Sequence, residues 1–188
     1  MAVTVEATTT PKTDAFCRFI AGVREIVRME GDTGQAGPAV AELLRGFIGQ
    51  DDFLSCEQLA PAECDYCQHI LHVEPDGSFS VVALVWLPGQ ATCIHDHVSW
   101  CVVGVHRGEE HETVYEHAGQ NGDAHLVATG SHINPPGTVA ALVPPGDIHH
   151  VANAGDAVAV SLHIYGADIS ALGSSIRRRY ALDVRAVV

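Results

Sequence analysis

Positive charge is what this sequence has least of. Its 188 residues carry 10 Lys and Arg against 23 Asp and Glu, a formal net charge of −13, and Lys12 is the only lysine. Nucleic-acid phosphates and anionic membrane surfaces repel so acidic a chain, so neither is expected as a partner. A small anionic ligand must find its cation locally, in a metal or in one of the few arginines. Long apolar runs are missing too. None approaches the roughly 18 uninterrupted residues of a membrane span, and the opening MAVTVEATTTPKTD lacks the apolar stretch of a secretory leader. Without a leader, the six cysteines (Cys17, Cys56, Cys64, Cys67, Cys93, Cys101) read as reduced thiols of a cytoplasmic protein. Cys64 and Cys67 form a lone C-x-x-C with no second pair, which argues against a structural zinc site.

What is present is a foldable core. Hydrophobic residues make up 47% of the chain, which excludes a disordered protein and suits a single domain. Residues 1–12 read as a loose tail. Phe16, Phe19, Ile20, Val23, Ile26 and Val27 then follow the stripe of an amphipathic helix. GDTGQAGP at 31–38 breaks it, and Val40, Leu43, Leu44, Phe47 and Ile48 begin a second stripe. After about residue 64 the texture changes to short β-branched or aromatic runs at 79–88, 99–108, 112–119, 124–134, 138–146 and 157–166, punctuated by Gly, Pro and Asn. That spacing predicts a mainly β barrel or sandwich. DISALGSSIRRRY reads as a short closing helix. The expected division is 1–64 for the tail and packing helices, 65–166 for the barrel and 167–188 for the closing segment.

Chemistry concentrates in two stretches. In GQATCIHDHVSWC, His95 and His97 lie two apart, hence on one face of a strand, where both can hold one metal. Imidazole serves zinc, copper, nickel and iron, so residue type alone does not select the ion. In SLHIY, Ser161, His163 and Tyr165 likewise share one face and can pass hydrogen bonds along a file. The plain alternative is a strand with polar residues facing water.

The flanks sharpen this reading. Gly89, His95, His97, Cys101 and Gly108 carry a spacing that resembles the first motif of the cupin superfamily, with Cys101 where a glutamate is usual. PPGDIHHVAN resembles the second motif through Pro144, Gly146, His149 and Asn153. The resemblance implies a jelly-roll-like cupin β-barrel and supplies His149 as third ligand. His150 is its nearest rival, but adjacent strand residues face opposite ways.

With three histidines and the Ser-x-His-x-Tyr strand, the chain resembles the thiol dioxygenases over about Tyr66 to Gly166. That resemblance implies Fe(II) held by His95, His97 and His149, with O2 and a small thiol as reactants and a sulfinate as product. It also implies that Tyr165 acts at the reacting centre, positioned by His163 and Ser161. Gln68 in YCQHILH and Trp100 in HDHVSW look like the 3-mercaptopropionate type, in which a glutamine replaces the arginine of cysteine dioxygenases. Cys101 points toward cysteine dioxygenases, where a cysteine crosslinks to the catalytic tyrosine. Arg177, Arg178 and Arg179 come later than the substrate-binding arginine expected after the tyrosine strand. A strict cysteine dioxygenase, a non-catalytic ligand-binding sensor, and a zinc, nickel or manganese cupin with other chemistry are the competing readings.

Overall fold

The structure is a computed structural model that describes residues 4–7, 13–31, 35–61 and 66–185, so Cys64 of the C-x-x-C lies outside the described residues. Helix α1 spans Asp14–Glu30 and is capped by Thr13, whose hydroxyl accepts the Phe16 N–H at 3.0 Å. Helix α2 spans Ala36–Arg45 and begins inside the stretch expected to break the helices. Pro38 fits there because it falls in the first turn, where the missing N–H has no intrahelical acceptor.

Two six-stranded sheets follow. Strand β1 is Thr4–Ala7, β2 Cys67–Val73, β3 Ser80–Trp86, β4 His95–His97, β5 Cys101–Arg107 and β6 Glu110–Ala118. Strand β7 is His125–Asn134, β8 Val139–Leu142, β9 His149–Ala152, β10 Ala159–Tyr165, β11 Ile176–Arg179 and β12 Val184–Arg185. One sheet runs β1-β2-β3-β10-β5-β8 and the other β11-β4-β9-β6-β7-β12. Together they form the mainly β, cupin-type barrel that the motifs predict.

The first sheet is covered on both faces, which explains its continuous apolar runs. Every residue of β3 and β10 is buried. Val81, Ala83, Val85, Leu162 and Ile164 pack outward on Phe16, Phe19, Val40 and Leu44 of the helices. Inward, Val82, Leu84, Ser161, His163 and Tyr165 line the barrel, as their register across β3 and β10 requires. A Cβ at Gly104 would come within 2.6 Å of Leu44 Cδ2, so glycine there lets α2 lie close on β5. Complete burial of side chains such as Phe19, Val81 and Leu162 stabilises each position by about 1.5–3 kcal/mol.

Three expectations change. Residues 1–12 are not wholly a loose tail, because Thr4–Ala7 pairs in parallel with Cys67–Ile70. The run Cys67–Val73, whose polar and apolar residues hid it among the motifs, is a full strand of the sheet. The closing segment is only partly helical: helix α3 covers Ile169–Leu172, ends at Gly173 with φ 75°, and gives way to β11 against β4. The unpaired edge of so short a strand as β4 wins over helix propensity here, since β11 supplies its missing hydrogen bonds.

Candidate metal centre

His95 and His97 both turn inward from β4, and His149 lies directly opposite His95 on β9. One ligand atom from each falls within 4.8 Å of the others, and all three residues are buried. No carboxylate or cysteine belongs to this group among the described residues. His150, the neighbour of His149, is only half-buried and outside it.

Each ring is held by its Nδ1. His95 donates to the Cys93 carbonyl at 2.9 Å, His97 to Asp147 Oδ2 at 2.9 Å and His149 to Glu112 Oε1 at 2.7 Å. With Nδ1–H committed, each Nε2 presents a lone pair to the shared space, the arrangement a metal requires. Burial, reinforced by the charges that His149 and His97 would carry, pushes the His95 pKa down to about 3. Burial likewise lowers that of His97, against the pull of Asp147. Both rings are therefore neutral at physiological pH and ready to ligate. Asp147 is a double anchor, since its Oδ2 also accepts the His97 backbone N–H at 3.0 Å. Burial raises its pKa, but these His97 hydrogen bonds outweigh that and hold the carboxyl low. The donor set fits a divalent transition metal.

A cavity of about 200 Å³ opens over the three rings. Tyr165, His163 and Gln68 line it, along with the stacked pair Tyr66 and Trp86, whose ring centroids are 4.4 Å apart. Within the file, Ser161 Oγ lies 3.0 Å from His163 Nε2, and Tyr165 Oη lies 3.1 Å from His163 Nδ1. His163 and Tyr165 therefore face the pocket, and Ser161 is fully buried behind them, none of the three facing water. Cys101 is fully buried and opposite Tyr165, with Sγ 3.9 Å from His163 Nδ1. Trp100, in contrast, stays outside the pocket. It packs with the helix-facing core, and a Cβ at Gly166 would strike its Nε1 at 2.2 Å.

Sequence reasoning missed several residues. Asp147 and Glu112 orient ligands from elsewhere in the chain. Arg179 is not among the missed residues, but the sequence puts it later than a substrate-binding arginine is expected; it pairs with His95 in the β11–β4 register and lines the cavity as its cation. What holds β11 there is Asp96, between the two ligands and facing the opposite way, which accepts from Arg177 and from Tyr180 Oη at 2.9 Å. Burial raises the Asp96 pKa, but these two partners more than reverse it.

A barrel with three converging imidazoles under a polar-lined pocket defines a metal-binding cupin. The chain belongs to the family described as cysteine dioxygenase type I, which matches residues 62–174. Solved structures with a similar fold include the TT1209 protein of Thermus thermophilus, at 20% identity over 61% of this chain and 96% of that one, with a TM-score of 0.44. A Klebsiella pneumoniae protein with a double-stranded β-helix domain gives 19%, 63%, 92% and 0.45 for the same quantities. A cupin superfamily protein of Desulfitobacterium hafniense gives 18%, 64%, 95% and 0.45.

Proposed function

We propose that this protein is a non-haem Fe(II) thiol dioxygenase that oxidises a small thiol carboxylate with O2 to its sulfinate, and that 3-mercaptopropionate is preferred over L-cysteine. The reaction places both oxygen atoms on sulfur: R–SH and O2 become R–SO2H, with sulfur losing four electrons and O2 gaining them. Fe(II), held by His95, His97 and His149, supplies the redox chemistry that joins a thiol to O2.

The observation that carries this reading is one small cavity shared by the three imidazoles, the Tyr165 phenol, the Gln68 amide and the Arg179 guanidinium. Arg179 neutralises a carboxylate and Gln68 donates an amide N–H to it, which aims the other end of a short substrate at the histidines. A glutamine where an arginine would bind the α-carboxylate of cysteine leaves a single strong carboxylate partner, which suits a substrate without an α-amino group. Tyr165 holds a hydroxyl proton beside the reacting centre, and burial keeps that phenol from ionising. Tyr66 and Trp86 keep water from the apolar side of the cavity.

No described helix is long and apolar enough to cross a membrane. No disulfide joins any two of the five described cysteines, as a reducing cytoplasm would have it. Metal analysis of protein purified without chelator, followed by oxygen uptake with a panel of short thiols, tests the assignment. Stoichiometric iron and sulfinate formation are expected. Iron-loaded protein that turns over no short thiol overturns it in favour of a ligand-binding cupin.

A further inference from the structure

One buried acid lies beyond the residues used so far. Glu110 opens β6, is 1% exposed, and leaves its Oε1 without a hydrogen-bond partner. Ser161 and the Trp86 indole are its polar neighbours, which puts it at the end of the file that leads through His163 to Tyr165.

We propose that Glu110 sets the direction of the Ser161–His163–Tyr165 hydrogen bonds and so decides whether Tyr165 offers the pocket a proton or a lone pair. The role of Tyr165 toward a substrate rests on the thiol dioxygenase reading; the switch itself does not.

The argument is a count of donors and acceptors. Ser161 has one proton and two lone pairs, and the Trp86 N–H, a donor only, occupies one lone pair at 3.2 Å. One lone pair and one proton remain for Glu110 and His163. Burial keeps His163 neutral by pushing its pKa well below the usual value, so the ring carries a single N–H. When Glu110 is protonated, its O–H fills the second lone pair of Ser161. Ser161 then donates to His163 Nε2, and His163 donates through Nδ1–H to Tyr165 Oη. The Tyr165 proton is left for the pocket. When Glu110 is ionised, it can only accept, so Ser161 donates to it and His163 donates through Nε2–H to Ser161. Tyr165 must then donate to His163 Nδ1, and it offers the pocket only a lone pair.

Glu110 is poised to make that change under ordinary conditions. Burial pushes its pKa up to about 7, with Glu112 adding to the rise while Ser161 and Trp86 oppose it. The polar groups around it are Glu112 on its own strand, Trp86 on β3, Ser161 and then His163 on β10 and Asn134 on β7; His149 on β9 lines the same small space but is held by Glu112, and β5 and β8 offer only apolar side chains there, with the Thr138 hydroxyl just before β8.

The test reads the His163 tautomer directly, by long-range proton–nitrogen correlation on full-length protein loaded with Zn(II), which is diamagnetic. The expected result is Nδ1–H at pH 5.5 and Nε2–H at pH 8.5, with a midpoint near that of Glu110. Glu110→Gln should show one tautomer at both pH values, and so should Ser161→Ala, which keeps the acid but cuts the file. A wild-type His163 with the same tautomer at both pH values overturns the proposal, as does a switch that survives in either variant. If Glu110→Gln fails to fold, the wild type and Ser161→Ala decide. A switching His163 in a protein that oxidises no thiol upholds this inference while removing the thiol reading.

Discussion

Cys101 and Tyr165 stand directly opposite each other on the antiparallel strands β5 and β10, both side chains turned into the barrel. Directly opposed residues bring their Cβ atoms to about 4.5–5.5 Å, near enough for a thiol to meet a phenol ring. Burial pushes both pKa values up, so thiol and phenol rest neutral and undissociated. Aerobic turnover should join Cys101 Sγ to the Tyr165 ring, with loss of the thiol hydrogen and one ring hydrogen and two electrons passed to O2. Peptide mass mapping should find the linked peptides lighter by two hydrogens. Only free peptides after many turnovers would leave Cys101 as a packing residue.

The ligand assignment separates two adjacent histidines. His149→Ala should lose most of the bound iron while the circular dichroism of the barrel is kept, because the core does not depend on one imidazole. His150→Ala should retain it. Iron quantified on the two purified variants decides, and the reverse pattern would transfer the role to His150.

The carboxylates behind the ligands should matter for metal affinity. Asp147→Ala frees the His97 ring, and Glu112→Ala frees that of His149. Each is expected to weaken binding by about 10–100-fold, as outer partners of metal-bound histidines do. Competition with a chelator of known affinity measures the change; unchanged affinity would make these pairs structural only.

Substrate choice tests the cavity's polar end. Arg179→Ala should raise KM for 3-mercaptopropionate by roughly 10–100-fold, the effect of losing one charge-assisted hydrogen bond, with kcat changed less. Gln68→Arg should shift the kcat/KM ratio toward cysteine. Steady-state oxygen uptake with both thiols reports each outcome. A wild-type enzyme that already prefers cysteine strongly would reverse the proposed substrate.

Glu110 also predicts a pH dependence of stability. Its folded pKa is raised from 4.5 to about 7, so the folded state holds the proton more tightly than the unfolded chain. The stabilisation is complete below pH 4.5 and fades as pH rises to about 7, a loss of about 3 kcal/mol. Glu110→Gln lacks this titration. Denaturant unfolding should therefore show the variant gaining on wild type between pH 4.5 and 7 and no further change above. A constant difference across that window would contradict the burial of an ionisable acid at this position.

Local spacing alone determined part of this protein. An i, i+2 pair on a strand must share a face, so His95 with His97, and Ser161 with His163 and Tyr165, were readable without a fold. The helix stripes and most strands were readable for the same reason, since a period of 3.6 or 2 is a property of neighbouring residues. Sequence alone left open what meets those faces. Arg179 follows Tyr165 by a stretch that reads as helix, and only the pairing of β11 with β4 carries it over the pocket. Asp147 and Glu112 reach their histidines from distant positions, through hydrogen bonds that no periodicity encodes. Glu110 looks like an ordinary acid after a glycine turn until the closed barrel buries it against Ser161. Short-range geometry assigns a side chain its direction, but closure of the two sheets decides its neighbours, and burial among those neighbours sets its charge and its chemistry.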